Sequence, residues 1–174
     1  LKATPDDDAE RRNLATTIVD STELTQRMIR DLLDVASIEL GRLSIERRAV
    51  GVAQVLDQAR ELFRRDADER GIALEVEPLA ELPEIVVDEQ RIVQVLANLL
   101  GNAMRFTERG GQVRLSARRV PGFVEIAVHD NGAGIPPSEL PRIFERYWSL
   151  RSTAPKGGTG LGLAIARGIV EAHG

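Results

Sequence analysis

The 174-residue chain contains no cysteine, and aromatic residues make up only 3% of it. Disulfides and thiolate zinc sites are thereby excluded, and the core has to be mainly aliphatic. No apolar run approaches the roughly 18 residues that cross a bilayer. The amino-terminal stretch also lacks the apolar segment of a secretion signal. A net charge of −4 argues against a nucleic-acid-binding role.

Hydrophobic periodicity predicts one long helix over residues 14–40, after a polar loop at residues 3–13. Gly41 is the expected stop, because glycine readily adopts the left-handed conformation that ends a helix. Two neighbouring apolar rows give this helix the wide stripe of a bundle helix. The rows contain Met28, Leu32 and Val35, and Ile29, Leu33, Ala36 and Leu40. We expect a partner helix, either from upstream of Leu1 or from a second chain.

The rest of the chain mixes helices and strands, with Asp88 as the expected N-cap of a central helix. The predicted elements, in chain order, are a strand at 42–47, a helix at 52–68, a strand at 72–77, a loop at 78–85, a helix from 88 to about 106, two strands on either side of Pro121-Gly122, a short helix within 136–148, and a last helix at 161–173. This order predicts the α+β class.

The central helix is apolar around most of its circumference but carries one narrow polar stripe. The stripe consists of Gln94, Asn98, Asn102 and Arg105. Solvated helix faces favour Lys and Glu, which have a higher helix propensity than Asn. The amides therefore predict a polar cleft, in which amide oxygens suit Mg²⁺ and an arginine suits phosphate.

Two glycine-rich segments are candidate ligand loops. In DNGAGI (residues 130–135), Asp130 ends a strand, although such a segment on its own is more often an ordinary turn. In GGTGLGLAI (residues 157–165), glycines run into a helix, and the exposed backbone N–H groups at its start form a phosphate cradle. The spacing matches neither a Walker A loop nor a Rossmann fingerprint.

Taken together and in this order, the segments resemble the ATP-binding domain of sensor histidine kinases, in the superfamily shared with DNA gyrase, Hsp90 and MutL. DEQRIVQVLANLLGNAMRFT is similar to the N box, DNGAGI to the G1 box, FERYW to the F box and GTGLGLAI to the G2 box. MIRDLLDVASIELGRLSI is similar to the second helix of the dimerisation domain and its exit.

The resemblance implies a long bundle helix followed by a two-layer α/β sandwich, a mixed sheet with helices on one face (the Bergerat ATP-binding fold). Residues 1–45 would belong to the dimerisation domain, whose first helix is missing. Residues 46–174 would form the ATP-binding domain, without its last strands.

The resemblance also implies roles for the polar stripe. Asn102 would supply an oxygen to the Mg²⁺ that bridges the ATP phosphates, and Arg105 would face those phosphates. Asn98 occupies the position at which hydrolysing relatives carry a water-activating glutamate. Since an amide cannot act as a general base, Asn98 favours phosphoryl transfer over hydrolysis.

The loops would hold the remainder of the nucleotide. Asp130 would accept a hydrogen bond from the adenine amino group, and Gly132, Gly134 and Ile135 would belong to that pocket. Residues 136–157 resemble a mobile lid anchored by Phe144. The residues expected to close over the phosphates are Gly158, Thr159, Gly160, Leu161 and Gly162.

The implied activity is transfer of the γ-phosphoryl group of Mg-ATP to a histidine outside this sequence, for relay to a response-regulator aspartate. His129 and His173 lack the context of a phosphoacceptor. The implied partners are a second copy, joined through the long helix, and a receiver domain. The implied location is the bacterial cytoplasm, with any membrane anchor upstream.

Three alternatives remain open from the sequence. They are a hydrolysing ATPase of the gyrase or Hsp90 type, a non-catalytic binding module, and a serine-directed relative such as an anti-sigma-factor kinase.

Overall fold

The computed structural model describes residues 5–77, 82–148 and 159–174 of the chain. Its elements are α1 (Pro5–Glu39), β1 (Arg48–Gly51), α2 (Val52–Arg70), β2 (Ala73–Val76), β3 (Glu84–Val87), α3 (Glu89–Phe106), β4 (Gln112–Val120), β5 (Phe123–Asp130), a 3-10 turn (Leu140–Arg142) and α4 (Gly162–His173). None of the helices in these ranges combines the length and the apolar character needed to cross a bilayer.

Helix α1 begins at Pro5, so the predicted polar loop at residues 3–13 is wrong over its helical part. Proline favours the first helical position, because its missing N–H would have no partner within the helix there. The predicted stop is confirmed, because Gly41 has a φ of +62°. The Arg42 N–H donates to the Ser37 carbonyl at 2.8 Å, which closes the helix end.

The strands form two groups within the described residues. β2 pairs in parallel with β4, which pairs antiparallel with β5, and β1 pairs antiparallel with β3. The predicted strand at 42–47 is wrong, since the strand lies at β1. The predicted loop at 78–85 misses the start of β3. Strands β1 and β3 have only four residues each. They are defined by their pairing with each other and not by a local alternation of polar and apolar residues.

Helix α3 separates two hydrophobic cores. On one side, Leu96, Leu100 and Met104 pack with α2 and with the buried face of β4, which carries Val113 and Leu115. The mixed sheet therefore packs against helices, as the predicted fold class requires. On the other side, α3 contributes to a smaller core between α1 and α4. The residues of this second core are Val35, Val95, Leu161, Ile165, Ala166 and Ile169.

Helices α1 and α4 pack closely at Gly168. A Cβ built on Gly168 would lie 2.7 Å from two side-chain carbon atoms of Ile38. Polar contacts continue this seam onto α3, where Asp34 accepts hydrogen bonds from Arg91 at 2.8 Å and from Gln94 at 2.6 Å. The long helix is therefore docked along the second core.

The carboxyl end of α4 contacts the start of α3 through His173. At the carboxyl end, the Asp88 N–H donates to Nε2 of His173 at 3.0 Å, while Nδ1 of His173 lies 2.8 Å from the Ile169 carbonyl. Because the Asp88 N–H occupies Nε2 and a carbonyl can only accept, Nδ1 is the ring nitrogen placed to donate to Ile169. His173 thus joins the start of α3 to the end of α4.

Glu89 joins α3 to α2 and β1. Its carboxylate is buried and accepts hydrogen bonds from Gln58 at 2.6 Å and from Gln54 at 2.7 Å, and it pairs with Arg48. The hydrogen bonds from Gln58 and Gln54, together with Arg48, hold the pKa of Glu89 below its ordinary value against the effect of burial. The charged form is therefore the one that the fold stabilises.

We expect Gly168→Val to destabilise the protein by about 1–3 kcal/mol, because the added carbons overlap Ile38. Urea unfolding measures the change. Ile38→Ala in the same chain should recover part of the loss. The control is Gly101→Ala in α3, where a Cβ has room at 3.9 Å from Phe63, and its stability should rise by up to about 1 kcal/mol. Wild-type stability of Gly168→Val would contradict this packing.

We expect Glu89→Gln to lower stability at pH 7, because the lost charge weakens the contacts with Arg48, Gln54 and Gln58. A carboxylate whose pKa is depressed by folding stabilises the protein above its unfolded pKa of about 4.3, and this contribution is lost as the pH falls through the folded pKa. The difference between variant and wild type should therefore shrink on acidification. Urea unfolding across that window tests this, and a constant difference would contradict it.

Candidate functional site

The polar stripe stands on a helix whose start is firmly capped. The Asp88 carboxylate accepts hydrogen bonds from the Arg91 N–H at 3.1 Å and from the Glu46 N–H at 3.0 Å. Burial alone would raise the pKa of Asp88, but these two hydrogen bonds hold it below its ordinary value. The predicted N-cap is thus confirmed, and the helix that it begins carries Asn98, Asn102 and Arg105 on successive turns.

Asn98 lies against the start of α4. A Cβ built on Gly162 would lie 3.2 Å from Oδ1 of Asn98, so a glycine at this position lets the helix start approach the amide. Nδ2 of Asn98 is buried and has no hydrogen-bond partner among the described residues. A buried unpaired donor costs about 1–3 kcal/mol, and a ligand with an acceptor oxygen would relieve this cost.

Asn102 and Arg105 continue the stripe toward the end of α3. Both side chains are half-buried, and the Arg105 guanidinium carbon lies 5.3 Å from the centre of the Phe106 ring. The ring thus supports the arginine near the carboxyl end of the helix. The Asn102 amide stands one turn from Asn98 and therefore lies between a buried amide and a cation.

The loop after β5 packs directly on the end of α3. A Cβ on Gly132 would lie 2.4 Å from the Phe106 carbonyl oxygen, so this position requires glycine. The Gly132 N–H donates to Oδ1 of Asp130 at 3.0 Å. Asn131, a residue without a role in the sequence prediction, accepts from the Gln112 N–H at 2.8 Å and ties the loop to β4.

Asp130 and the residues after Gly132 are open to solvent. The exposed carboxylate of Asp130 keeps acceptor capacity beyond its bond to the loop. Gly134 has a φ of +71° with no heavy atom within 4 Å of its built Cβ. The side chain of Ile135 is 41% exposed. These residues therefore form an accessible turn next to the polar stripe.

The second glycine loop is joined to the FERYW segment through its backbone. The Tyr147 N–H donates to the Gly160 carbonyl at 2.9 Å, and a Cβ on Gly160 would lie 2.8 Å from the Tyr147 backbone. Leu161 anchors the loop in the second core. The Leu161 N–H donates to the Thr159 hydroxyl at 3.3 Å. Gly158 lies outside the described residues.

Phe144 lies over the α1–α4 seam rather than beside the polar stripe. It lines a cleft of about 260 Å³ with Val35 and Ile38 of α1 and with Gly168 of α4. Its ring remains 43% exposed. The expected anchoring of a lid by Phe144 stays a prediction.

The sequence prediction missed the acidic residues of α1 that contact the second half of the chain. Asp31 accepts from the Thr159 hydroxyl at 3.2 Å, Asp34 accepts from Arg91, and Glu39 pairs with Arg146. The only signal in the sequence is their spacing along one side of α1, which ordinary surface helices also show. The remaining histidine, His129, lies on β5, 3.1 Å from the Ser116 hydroxyl.

The arrangement suits an anionic ligand with many acceptor oxygens. Asn98 meets the start of α4, where backbone N–H groups point outward, and Asn102 and Arg105 extend the same surface. The described part of the chain contains no group of three His, Asp or Glu side chains placed to hold a metal ion. A cation here would therefore depend on amide oxygens and on oxygens of the ligand itself.

Proteins with related sequences include sensor proteins. The alginate biosynthesis sensor protein KinB of Pseudomonas aeruginosa is 39% identical over 147 residues, which is 84% of this chain and 24% of KinB. The sensor protein DivL of Caulobacter vibrioides is 38% identical over 164 residues, which is 94% of this chain and 21% of DivL. The chain thus spans about a quarter or less of these relatives.

Solved structures of other proteins also superpose on this chain. Full-length ShkA in complex with AMPPNP is 32% identical and superposes with a TM-score of 0.81, covering 99% of this chain and 35% of ShkA. The mycobacterial sensor histidine kinase MprB is 31% identical with a TM-score of 0.60, covering 74% of this chain and 80% of MprB.

The family match begins just before α3 and runs to the end of the chain. Residues 87–174 match the family described as histidine kinase-, DNA gyrase B-, and HSP90-like ATPase. They include the polar stripe, both glycine loops and the start of α4. The chain therefore belongs to this ATPase family and carries the ATP-binding catalytic domain of histidine kinases.

Proposed function

We propose that the chain is the ATP-binding catalytic region of a two-component sensor histidine kinase. It binds Mg-ATP and donates the γ-phosphoryl group to a histidine on the dimerisation domain. The observation that carries this proposal is Asn98, whose amide nitrogen is buried and whose amide oxygen approaches the start of α4. An amide cannot take a proton from water, so the site retains ATP for transfer instead of hydrolysing it.

The polar stripe would bind the triphosphate end of the nucleotide. Asn102 supplies an amide oxygen to Mg²⁺, Arg105 faces the phosphates, and the buried Nδ2 of Asn98 donates to an acceptor oxygen that enters the cleft. When bound, Mg²⁺ supplies positive charge against the phosphate oxygens. The protein's own contribution is mainly to position the reacting groups and to exclude water.

The two loops would bind the ends of the nucleotide. Asp130 accepts a hydrogen bond from the adenine amino group, with Gly132, Gly134 and Ile135 shaping the pocket around the base. Thr159, Gly160, Leu161 and Gly162 close over the phosphates, and Gly158 extends that loop. The bond between Asp130 and the Gly132 N–H fixes the carboxylate for this role.

Residues 1–45 would form the second helix of a dimerisation domain, and residues 46–174 the catalytic domain. The support for dimerisation is a row of large apolar side chains on α1 that are 44–65% exposed. They are Leu14, Ile18, Val19, Leu24, Met28, Ile29, Leu32, Leu33 and Leu40. A second copy would bury this row in a helix bundle. A cytoplasmic receiver domain would then accept the phosphoryl group on an aspartate.

The test is to incubate the full-length parent protein with γ-labelled ATP and Mg²⁺. A label that is lost in acid but kept in alkali identifies phosphohistidine and supports the proposal. Free phosphate without labelled protein would instead identify a hydrolysing ATPase, and an absence of nucleotide binding at millimolar concentrations would identify a non-catalytic module.

In the same assay, Asn102→Ala should remove labelling almost completely, because it removes the protein oxygen that the proposal assigns to Mg²⁺. The control is Gln90→Ala, an exposed position in the first turn of α3, which should label like the wild type. Wild-type labelling of Asn102→Ala would remove Asn102 from the proposed metal site.

Gly132→Ala should raise the Kd for Mg-ATP at least about tenfold, because the methyl group displaces the loop from the Phe106 carbonyl. Fluorescence titration measures the Kd, and circular dichroism checks that the variant is folded. Gly51→Ala, where a Cβ has no neighbour within 4 Å, should bind like the wild type. Equal affinity for Gly132→Ala would show that the loop does not contact the nucleotide.

A further inference from the structure

Three acidic residues of α1 face the ATP-binding domain, and their partners differ. Asp34 accepts from Arg91 and Glu39 pairs with Arg146, so each of these carboxylates meets a cation of the domain. Asp31 instead accepts from the neutral hydroxyl of Thr159 at 3.2 Å. This hydrogen bond therefore joins a negative charge of the long helix to Thr159, which is a residue of the proposed phosphate-binding loop.

The Asp31 carboxylate lies close to the start of α4. The Thr159 hydroxyl that donates to Asp31 also accepts from the Leu161 N–H at 3.3 Å, so two hydrogen bonds separate the carboxylate from that backbone N–H. The start of a helix attracts anions through its N–H groups. Asp31 is the anion that α1 brings to this position when it is docked.

The other charges near Asp31 belong mostly to α1. Arg27 and Arg30 are the neighbouring cations, and Asp34 is the neighbouring anion. Burial, the largest effect, raises the pKa of Asp31 above its ordinary value, and the hydrogen bond from Thr159 and the charge of Arg27 oppose this only in part. The hydroxyl thus stabilises the charged carboxylate at the loop.

We infer that docked Asp31 makes the site discriminate between nucleotides by charge and disfavours the triphosphate relative to the diphosphate. The inference rests on the proposed nucleotide-binding function. The Thr159 hydroxyl of the loop lies 3.2 Å from the Asp31 carboxylate, well within the Debye length of about 8 Å at physiological salt. A partly buried charge is also screened less by salt than an exposed one. A ligand with one more phosphate brings one more negative charge to the same N–H groups.

This places the long helix in competition with the nucleotide for the start of α4. While α1 is docked, Asp31 and the terminal phosphate are attracted to the same group of donors. Release of α1 would remove the carboxylate and raise the affinity for the triphosphate. The contact thus couples the position of the long helix to the nucleotide that the domain holds.

The test compares Asp31→Asn with the wild type, because asparagine keeps an oxygen that accepts from Thr159 but removes the charge. Calorimetric titration with Mg-AMPPNP and with Mg-ADP gives the two affinities without turnover. We expect the Kd for AMPPNP to fall about fivefold and the Kd for ADP to fall about twofold or less. The excess gain for AMPPNP should decrease as the salt concentration rises.

The matched control is Glu23→Gln, which removes an exposed negative charge from the same helix about 12 Å away along its axis. Its affinities should equal those of the wild type. Unchanged affinities in Asp31→Asn, equal gains for both nucleotides, or the same gain in Glu23→Gln would each overturn the inference. A wild-type protein that binds neither nucleotide would contradict the proposed function itself, and the inference with it.

Discussion

The structure depends on the packing of α3 between two cores. One side of the helix closes the core against α2 and β4, and the other side closes the smaller core against α1 and α4. A helix that is buried on two sides has little surface left for solvent, so the remaining stripe of amides and arginine is half-buried. The candidate site is therefore a consequence of how α3 is buried as well as of which residues it carries.

Local signals in the sequence were sufficient for the elements that position the site. The cap at Asp88, the length of α3 and the hairpin at Pro121-Gly122 follow from residues within a few positions of each other, and the structure agrees. The short strands β1 and β3 were missed because their stability comes from pairing with each other across the chain. The start of α1 was missed because its charged first turns lack an apolar period.

The candidate site likewise combines features that local sequence predicts with features that depend on contacts between distant segments. Glycine at position 132 could be predicted as a turn residue, but its contact with the Phe106 carbonyl requires knowledge of how two distant segments meet. The contact between Asp31 and Thr159 joins residues 128 positions apart. An aspartate on an amphipathic helix carries no local mark of such a partner, and only the docking of α1 on α4 brings the two together.

The hydrogen bond at His173 has a consequence for how α3 and α4 can move. His173 holds the end of α4 to the start of α3, while Asn98 and Gly162 meet at the other end of α4, so the two helices run antiparallel and are fixed at two separated points. A pair fixed at two points cannot slide along its own axis by a helical turn. Since Ile38 of α1 packs on α4 at Gly168, the position of α1 along this seam bears on α3 as well as on α4, and so on the amide stripe that α3 carries.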